Sequence, residues 1–172
     1  MDILITRAGV TSARLLAGLG AKTFHDAFAS FNKPEDMDAY MQASFTEEKL
    51  SAEIQAKGAE FYIAYKDGEP LGFAKTGEQT PPDEISAFKC RELERIYVLQ
   101  EYQSLKVGEK LLTHCIEKAK REDYEILWLG VWEHNPRAVA FYQRFGFEHF
   151  SEHVFMLGSD AQTDWLLMLK LR

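Results

Sequence analysis

Seven consecutive residues, Ile126-Leu127-Trp128-Leu129-Gly130-Val131-Trp132, form an almost unbroken apolar run. A strand with one face in water alternates polar and apolar side chains, so a run of this kind marks a strand covered on both faces. Its flanks say what covers it. Upstream, Gly108 to Glu122 carries Leu111, Leu112, Cys115, Ile116 and Ala119 on one stripe at helical spacing. Downstream, Asn135-Pro136 starts another helix, because Asn is a favoured cap and Pro suits the first helical position; Gly146 closes it. A buried strand between two amphipathic helices is the kernel of an α/β fold.

The remaining segments extend that kernel. Residues 2–7 read as an opening strand. From Thr11 to about Phe31, Leu15, Leu16, Leu19, Phe24 and Phe28 fall mostly at helical spacing, with Thr11 or Ser12 as N-cap. Asn32 and Pro34 punctuate, and Pro34 to Phe45 and Thr46 to Lys57 predict two more helices. Phe61-Tyr62-Ile63-Ala64-Tyr65 reads as a strand, and Asp67-Gly68 turns it into a second, Pro70 to Lys75. Residues 78–89, with Pro81-Pro82, read as a loop before a strand at Cys90–Val98. Two closing strands are expected at about 147–157 and 164–171. The order β-ααα-ββ-β-α-β-α-ββ predicts one domain, residues 1–172, built on a mixed sheet with helices on both faces.

Twenty basic and 27 acidic side chains leave a formal charge of −7. Nucleic acid and anionic membrane are therefore poor partners, since both need a concentrated basic surface. A small cationic substrate suits the charge, although acidity for solubility alone is common. Cys90 and Cys115 show neither metal-ligand spacing nor a disulfide framework, and the five histidines form no metal pattern, so no metal is expected. The N-terminus lacks a charged region leading into a long apolar stretch, and no run approaches the roughly 18 apolar residues of a span. A cytoplasmic location is the expectation.

Two segments carry chemistry. Ile96-Tyr97-Val98 leaves a strand, and Gln103-Ser104-Leu105-Lys106-Val107-Gly108-Glu109 enters a helix. A helix N-terminus offers unpaired N–H groups and partial positive charge, which suits a phosphate; the segment reads equally well as an ordinary strand-to-helix connection. In Asn135-Pro136-Arg137-Ala138-Val139-Ala140-Phe141-Tyr142, the residues Asn135, Ala138 and Tyr142 stand at i, i+3 and i+7 on one helical face. A polar amide, a small residue and a phenol there can line one slot, or serve as cap, packing alanine and half-buried tyrosine.

Together the two segments resemble the GCN5-related N-acetyltransferase (GNAT) superfamily. Its turn reads Arg/Gln-x-x-Gly-x-Gly/Ala, against Gln103 to Gly108 here, with Lys106 in place of the first glycine. Its second motif, Asn-x-x-Ala-x-x-Phe-Tyr-x-x-x-Gly-Phe, is matched at every marked position by Asn135 to Phe147. Within the superfamily the chain is similar to PaiA-type spermidine/spermine N-acetyltransferases, in Thr23 to Phe28, Leu93 to Val98, Leu129 to Glu133 and Gln162-Thr163-Asp164.

The resemblance implies a mostly antiparallel, twisted sheet of six to seven strands, splayed between the fourth and fifth, with acetyl-coenzyme A as cosubstrate in the gap. It implies that Ile96 to Val98, Gln103 to Glu109, Asn135, Ala138 and Tyr142 hold that cosubstrate. Val98 N–H would hold the oxyanion, and Tyr142 would protonate the departing thiolate. Superfamily members are often dimers, so monomer and homodimer both stand.

An amine with a pKa near 10.4 leaves roughly one molecule in a few thousand neutral at pH 7, so transfer needs a base. Strand alternation places Glu92, Glu94, Ile96 and Val98 on one face. Either carboxylate is a candidate, as is simple surface pairing with Arg91 or Arg95; resemblance to the polyamine enzymes favours Glu94. The expected reaction is acetylation of a primary amine, most naturally a polyamine. Acetylation of a protein N-terminus or lysine, or acetyl-coenzyme A sensing without catalysis, are the rivals.

Overall fold

The computed structural model describes residues 2–172. Seven strands form one sheet in the order β1 (Leu4–Arg7), β2 (Glu60–Lys66), β3 (Glu69–Gly77), β4 (Cys90–Val98), β5 (Ile126–Trp132), β7 (Asp160–Lys170) and β6 (Glu148–Leu157). All neighbours are antiparallel except β4 and β5, which run parallel. Helices α1 (Ala13–Phe28), α2 (Pro34–Ser44) and α3 (Glu47–Gln55) cover one face. Helices α4 (Val107–Arg121) and α5 (Pro136–Arg144) cover the other.

Alternation along β2 sorts the two cores. Tyr62 and Ala64 join Leu111, Leu112 and Ile116 of α4 in one cluster, whereas Phe61 and Ile63 join Leu16, Leu19 and Phe24 of α1 in the other. Each such large side chain withdrawn from water contributes about 1.5–3 kcal/mol. The lower end of β5 is covered differently. Ile126 and Trp128 pack under Ile85, which a short 3₁₀ turn at Asp83–Ile85 delivers from the long β3–β4 connection.

Local signals place most boundaries. Asp67 (φ 52°) and Gly68 (φ 83°) both take the positive φ that a two-residue hairpin turn requires between β2 and β3. Asn135 Oδ1 accepts the Ala138 amide at 3.2 Å and caps α5, Pro136 follows, and Gly146 (φ 95°) ends the turn with its N–H on Gln143. Ser12 does stand at the N-cap of α1, but its side chain bonds no backbone amide there; a 3₁₀ turn over Val10–Ser12 leads the chain in. The helix stops at Phe28 rather than Phe31, the last residues tightening into 3₁₀ geometry. Strand β7 begins four residues earlier than expected, because the turn at Gly158 (φ 58°) brings the mostly polar stretch Asp160 to Thr163 opposite Leu157 to Val154. Backbone pairing does not need apolar side chains.

The splay lies between β4 and β5. Only Cys90, Arg91 and Glu92 pair with Ile126, Leu127 and Trp128, although both strands continue for several residues. Beyond Glu92 the two strands diverge and the sheet opens.

Candidate active site

The opening is a cleft of about 690 Å³ that passes through the sheet, a size typical of small-ligand sites. Leu93 to Val98 of β4 form one wall and Gly130, Val131 and Trp132 of β5 the other. One mouth is lined by Phe24, Phe28 and Tyr40, the opposite one by Gly108, Asn135, Ala138, Phe141 and Tyr142.

A register shift in β4 decides which side chains enter. Lys75 of β3 faces Arg95, but its neighbour Thr76 faces Leu93, so Glu94 is the extra residue of a bulge. Alternation breaks there. Leu93, Ile96 and Val98 all pack toward α4, while Tyr97 packs toward α1. The expected common face for Glu92, Glu94, Ile96 and Val98 is thus corrected: Ile96 and Val98 turn away from the acidic pair. Glu94 lines the cleft, whereas Glu92, the last residue paired to β5, is not among the lining residues.

Glu94 is held on one oxygen. Its Oε1 lies 3.2 Å from Lys75 Nζ and 3.4 Å from Gln79 Nε2, while Oε2 is buried with no hydrogen-bond partner. Gly77 makes this possible, since a Cβ there would overlap Oε2. Burial, and then the Glu94 charge, push the Glu92 carboxyl up to about 7, with Lys75 pulling weakly the other way.

The backbone of β4 offers a donor. Leu99 N–H bonds Leu71 O at 2.9 Å on the β3 side. Alternation then turns the Val98 N–H away from β3, into the gap where β5 has departed.

At the α4 end, Lys106 takes the left-handed conformation (φ 61°, ψ 28°) that a glycine adopts without strain. The turn is therefore formed with lysine in place of the glycine. Gln103, Lys106, Gly108 and Glu109 line the cleft; Ser104 and Leu105 are exposed outside it, and the Val107 side chain enters the core. Asn135, Ala138 and Tyr142 share the opposite wall, as their spacing predicts. The Tyr142 ring stands edge-on to Phe141 and Phe147, and burial raises its phenol well above the usual range.

Several lining residues escape a reading of the sequence alone. Arg137 and Arg144 add two cations to Lys106 at this mouth, and Arg137 Nη1 reaches Gln103 Oε1 at 3.4 Å. Their spacing of seven was the available signal, one helical face again. Asp164 lines the opposite half with Asp26 and Glu94. Trp132, expected in the core, forms the cleft wall against Phe28 and Phe31, with ring centres 6.2 and 5.3 Å away. It lies past the point where β4 leaves β5, so only β7, at Asp164, is paired beside it. His25 is exposed and outside the lining, Glu133 sits beside His134 at 3.3 Å, and Cys115 is core.

Among the described residues no group of three His, Cys, Asp or Glu is placed to hold a metal ion, and no helix is long and apolar enough to cross a membrane. The cleft thus joins a cationic mouth at a helix N-terminus to an acidic, aromatic one, with a phenol and a carboxylate between.

The profile of the acetyltransferase (GNAT) family matches residues 23–147, more than half of the chain. An N-acetyltransferase of Lactobacillus delbrueckii subsp. lactis, from the pepI 3′ region, is 40% identical over 149 residues, covering 87% of this chain and 86% of that one. The spermine/spermidine N(1)-acetyltransferase of Bacillus subtilis (strain 168) is 30% identical over 111 residues, covering 62% and 73%. Among solved structures, a PaiA N-acetyltransferase from Thermoplasma acidophilum in complex with coenzyme A superposes with a TM-score of 0.81 over 99% of both chains, at 22% identity. With the family profile, a relative at 40% identity and the opened β4–β5 pair in agreement, this chain belongs to the GNAT family of N-acetyltransferases.

Proposed function

We propose that this protein transfers the acetyl group of acetyl-coenzyme A to a primary amine, and that the acceptor is a polyamine such as spermidine or spermine. The polarity of the cleft carries the reading. Lys106, Arg137 and Arg144 line the cleft together with the start of α4, a fit for pyrophosphate. Asp26, Glu94 and Asp164 line the other half, a fit for a cationic chain. The acceptor class is also that of the Bacillus relative named above.

Bound acetyl-coenzyme A supplies the acetyl group as a thioester, its arm lying between β4 and β5. The protein's own groups do the rest. Glu94, whose side chain lines the cleft, takes the proton from the attacking nitrogen, directly or through water. The Val98 N–H, free on the β5 side, stabilises the oxyanion as the carbonyl is attacked. Tyr142, kept protonated by burial, gives its proton to the departing sulfur. Glu92, with a carboxyl near neutrality beside Glu94, is placed to receive the proton next. Asn135, with Oδ1 engaged in the cap, has its amide nitrogen to offer the arm.

The test is thiol release with spermidine, spermine, monoamines and peptides bearing free N-termini or lysines. Turnover with the polyamines is expected. Activity confined to peptides overturns the acceptor, and failure of coenzyme A to bind in equilibrium dialysis overturns the whole reading.

A further inference from the structure

The carboxylates of the acceptor half do not all have a permanent cation. Glu94 has Lys75 at 3.2 Å, and Asp26 has Lys22 at 3.2 Å. Asp164 differs. Its side chain is only 15% exposed, and its one ion-pair partner among the described residues is His153, whose Nε2 lies 3.5 Å away. That imidazole is itself half exposed and is charged only when protonated. A buried anion so weakly compensated is costly, and burial raises the Asp164 carboxyl despite His153.

Space lies in front of this carboxylate. Gly130 interrupts the buried run of β5 and is exposed to the cleft, and a Cβ there would stand 3.4 Å from Asp164 Oδ2. Asp164 is also the register partner of Trp132, whose ring continues the wall toward Phe28 and Phe31. From the facing elements, Tyr40 and Tyr97 line the same chamber as Asp164.

We propose that Asp164, opened to the cleft by Gly130 and flanked by Trp132, receives a second ammonium group of the acceptor. This deepens the function proposed above and rests on it. The two ends of the acceptor then meet opposite demands: Glu94 removes a proton from the reacting nitrogen, while Asp164 holds the other nitrogen protonated. An ammonium with a pKa near 10.4 brings a lasting positive charge to this carboxylate at neutral pH. The aromatic wall adds cation–π attraction. The favoured acceptor is therefore an aliphatic amine with a second positive centre, and a simple monoamine of similar length is a poor one.

Asp164→Asn tests this through two readouts. In thiol-release assays, the ratio of kcat/KM for spermidine to that for hexylamine should fall about 10- to 100-fold, carried mainly by KM, the range expected for one charge-assisted contact. An unchanged ratio overturns the proposal, even if both rates drop. In calorimetry on protein saturated with coenzyme A, spermidine should bind about tenfold or more weakly to the variant. Equal binding, or no binding to the parent protein, also overturns it. If the parent acetylates no amine yet loses spermidine binding on substitution, the transferase reading fails and the ammonium receptor stands. Should Asp164→Asn fold poorly, Gly130→Val fills the space with the carboxylate left in place, and the same fall in the ratio is expected.

Discussion

Lys75 Nζ sits 3.2 Å from Oε1 of Glu94, with the two side chains 7% and 17% exposed. The same ammonium lies 3.6 Å from Oε1 of Glu53, whose two oxygens accept from Arg95 at 2.9 and 3.0 Å. Burial alone would raise the Glu53 carboxyl; the Arg95 hydrogen bonds, with the Arg95 and Lys75 charges, outweigh it and hold it low. Four alternating charges thus run from Arg95 of β4 through Glu53 of α3 and Lys75 of β3 to Glu94, and the last of them is the proposed base. The bulge at Glu94 makes the chain possible, because without the extra residue its carboxylate would not lie beside Lys75 on that face.

Lys75→Met should cost about 3 kcal/mol in urea unfolding, since it leaves Glu94 and Glu53 short of a cation in a buried place. Adding Glu94→Gln should recover part of that loss. Strict additivity of the two substitutions would show that the pair is not coupled.

Tyr142→Phe should lower kcat by about 10²- to 10³-fold while coenzyme A affinity stays within about threefold, the signature of a group needed only in the transition state. Steady-state kinetics beside calorimetry separates the two. A kcat close to that of the parent removes the tyrosine from the proposed role.

Glu92→Gln should stabilise the protein in a pH-dependent way. Burial and the Glu94 charge raise the carboxyl to about 7, from 4.5. Between those values the folded chain keeps a proton that the unfolded chain has released, so stability falls as pH rises through the window and stays lower above it. The variant should gain on the order of 2 kcal/mol at pH 8 and little at pH 4.5. Denaturant titrations at both pH values check the sign, and an equal gain at both refutes the assignment.

Lys106→Gly should raise folding stability by up to about 1 kcal/mol, by removing a left-handed lysine. It should also weaken coenzyme A binding at low salt, by about three- to tenfold, with the difference shrinking as salt rises. Affinity that improves on substitution would mean the ammonium does not serve the phosphate.

Much of the site was legible because it is local. Asn135, Ala138 and Tyr142 reach one slot through helical periodicity alone, and the cap, the proline and Gly146 that frame them act within a few residues. The turn before α4 is equally local, and Lys106 keeps its geometry despite its Cβ. Strand β4 was legible as a strand but misread in its faces, because a bulge is a property of two paired strands, and nothing within Cys90–Val98 shows how it meets β3.

The amino-acid order by itself determined which segments become helices and strands, where most of them turn, and which residues share a helical face, since backbone preference and hydrophobic period act over a few neighbours. Only the tertiary structure decided that Glu94 meets Lys75, that Trp132 forms a cleft wall, and that Asp164 faces the chamber with one histidine for company. Those outcomes depend on register between strands distant in sequence and on the point where β4 and β5 part. Such long-range pairing is selected by the whole packed sheet, and no stretch of chain encodes it alone.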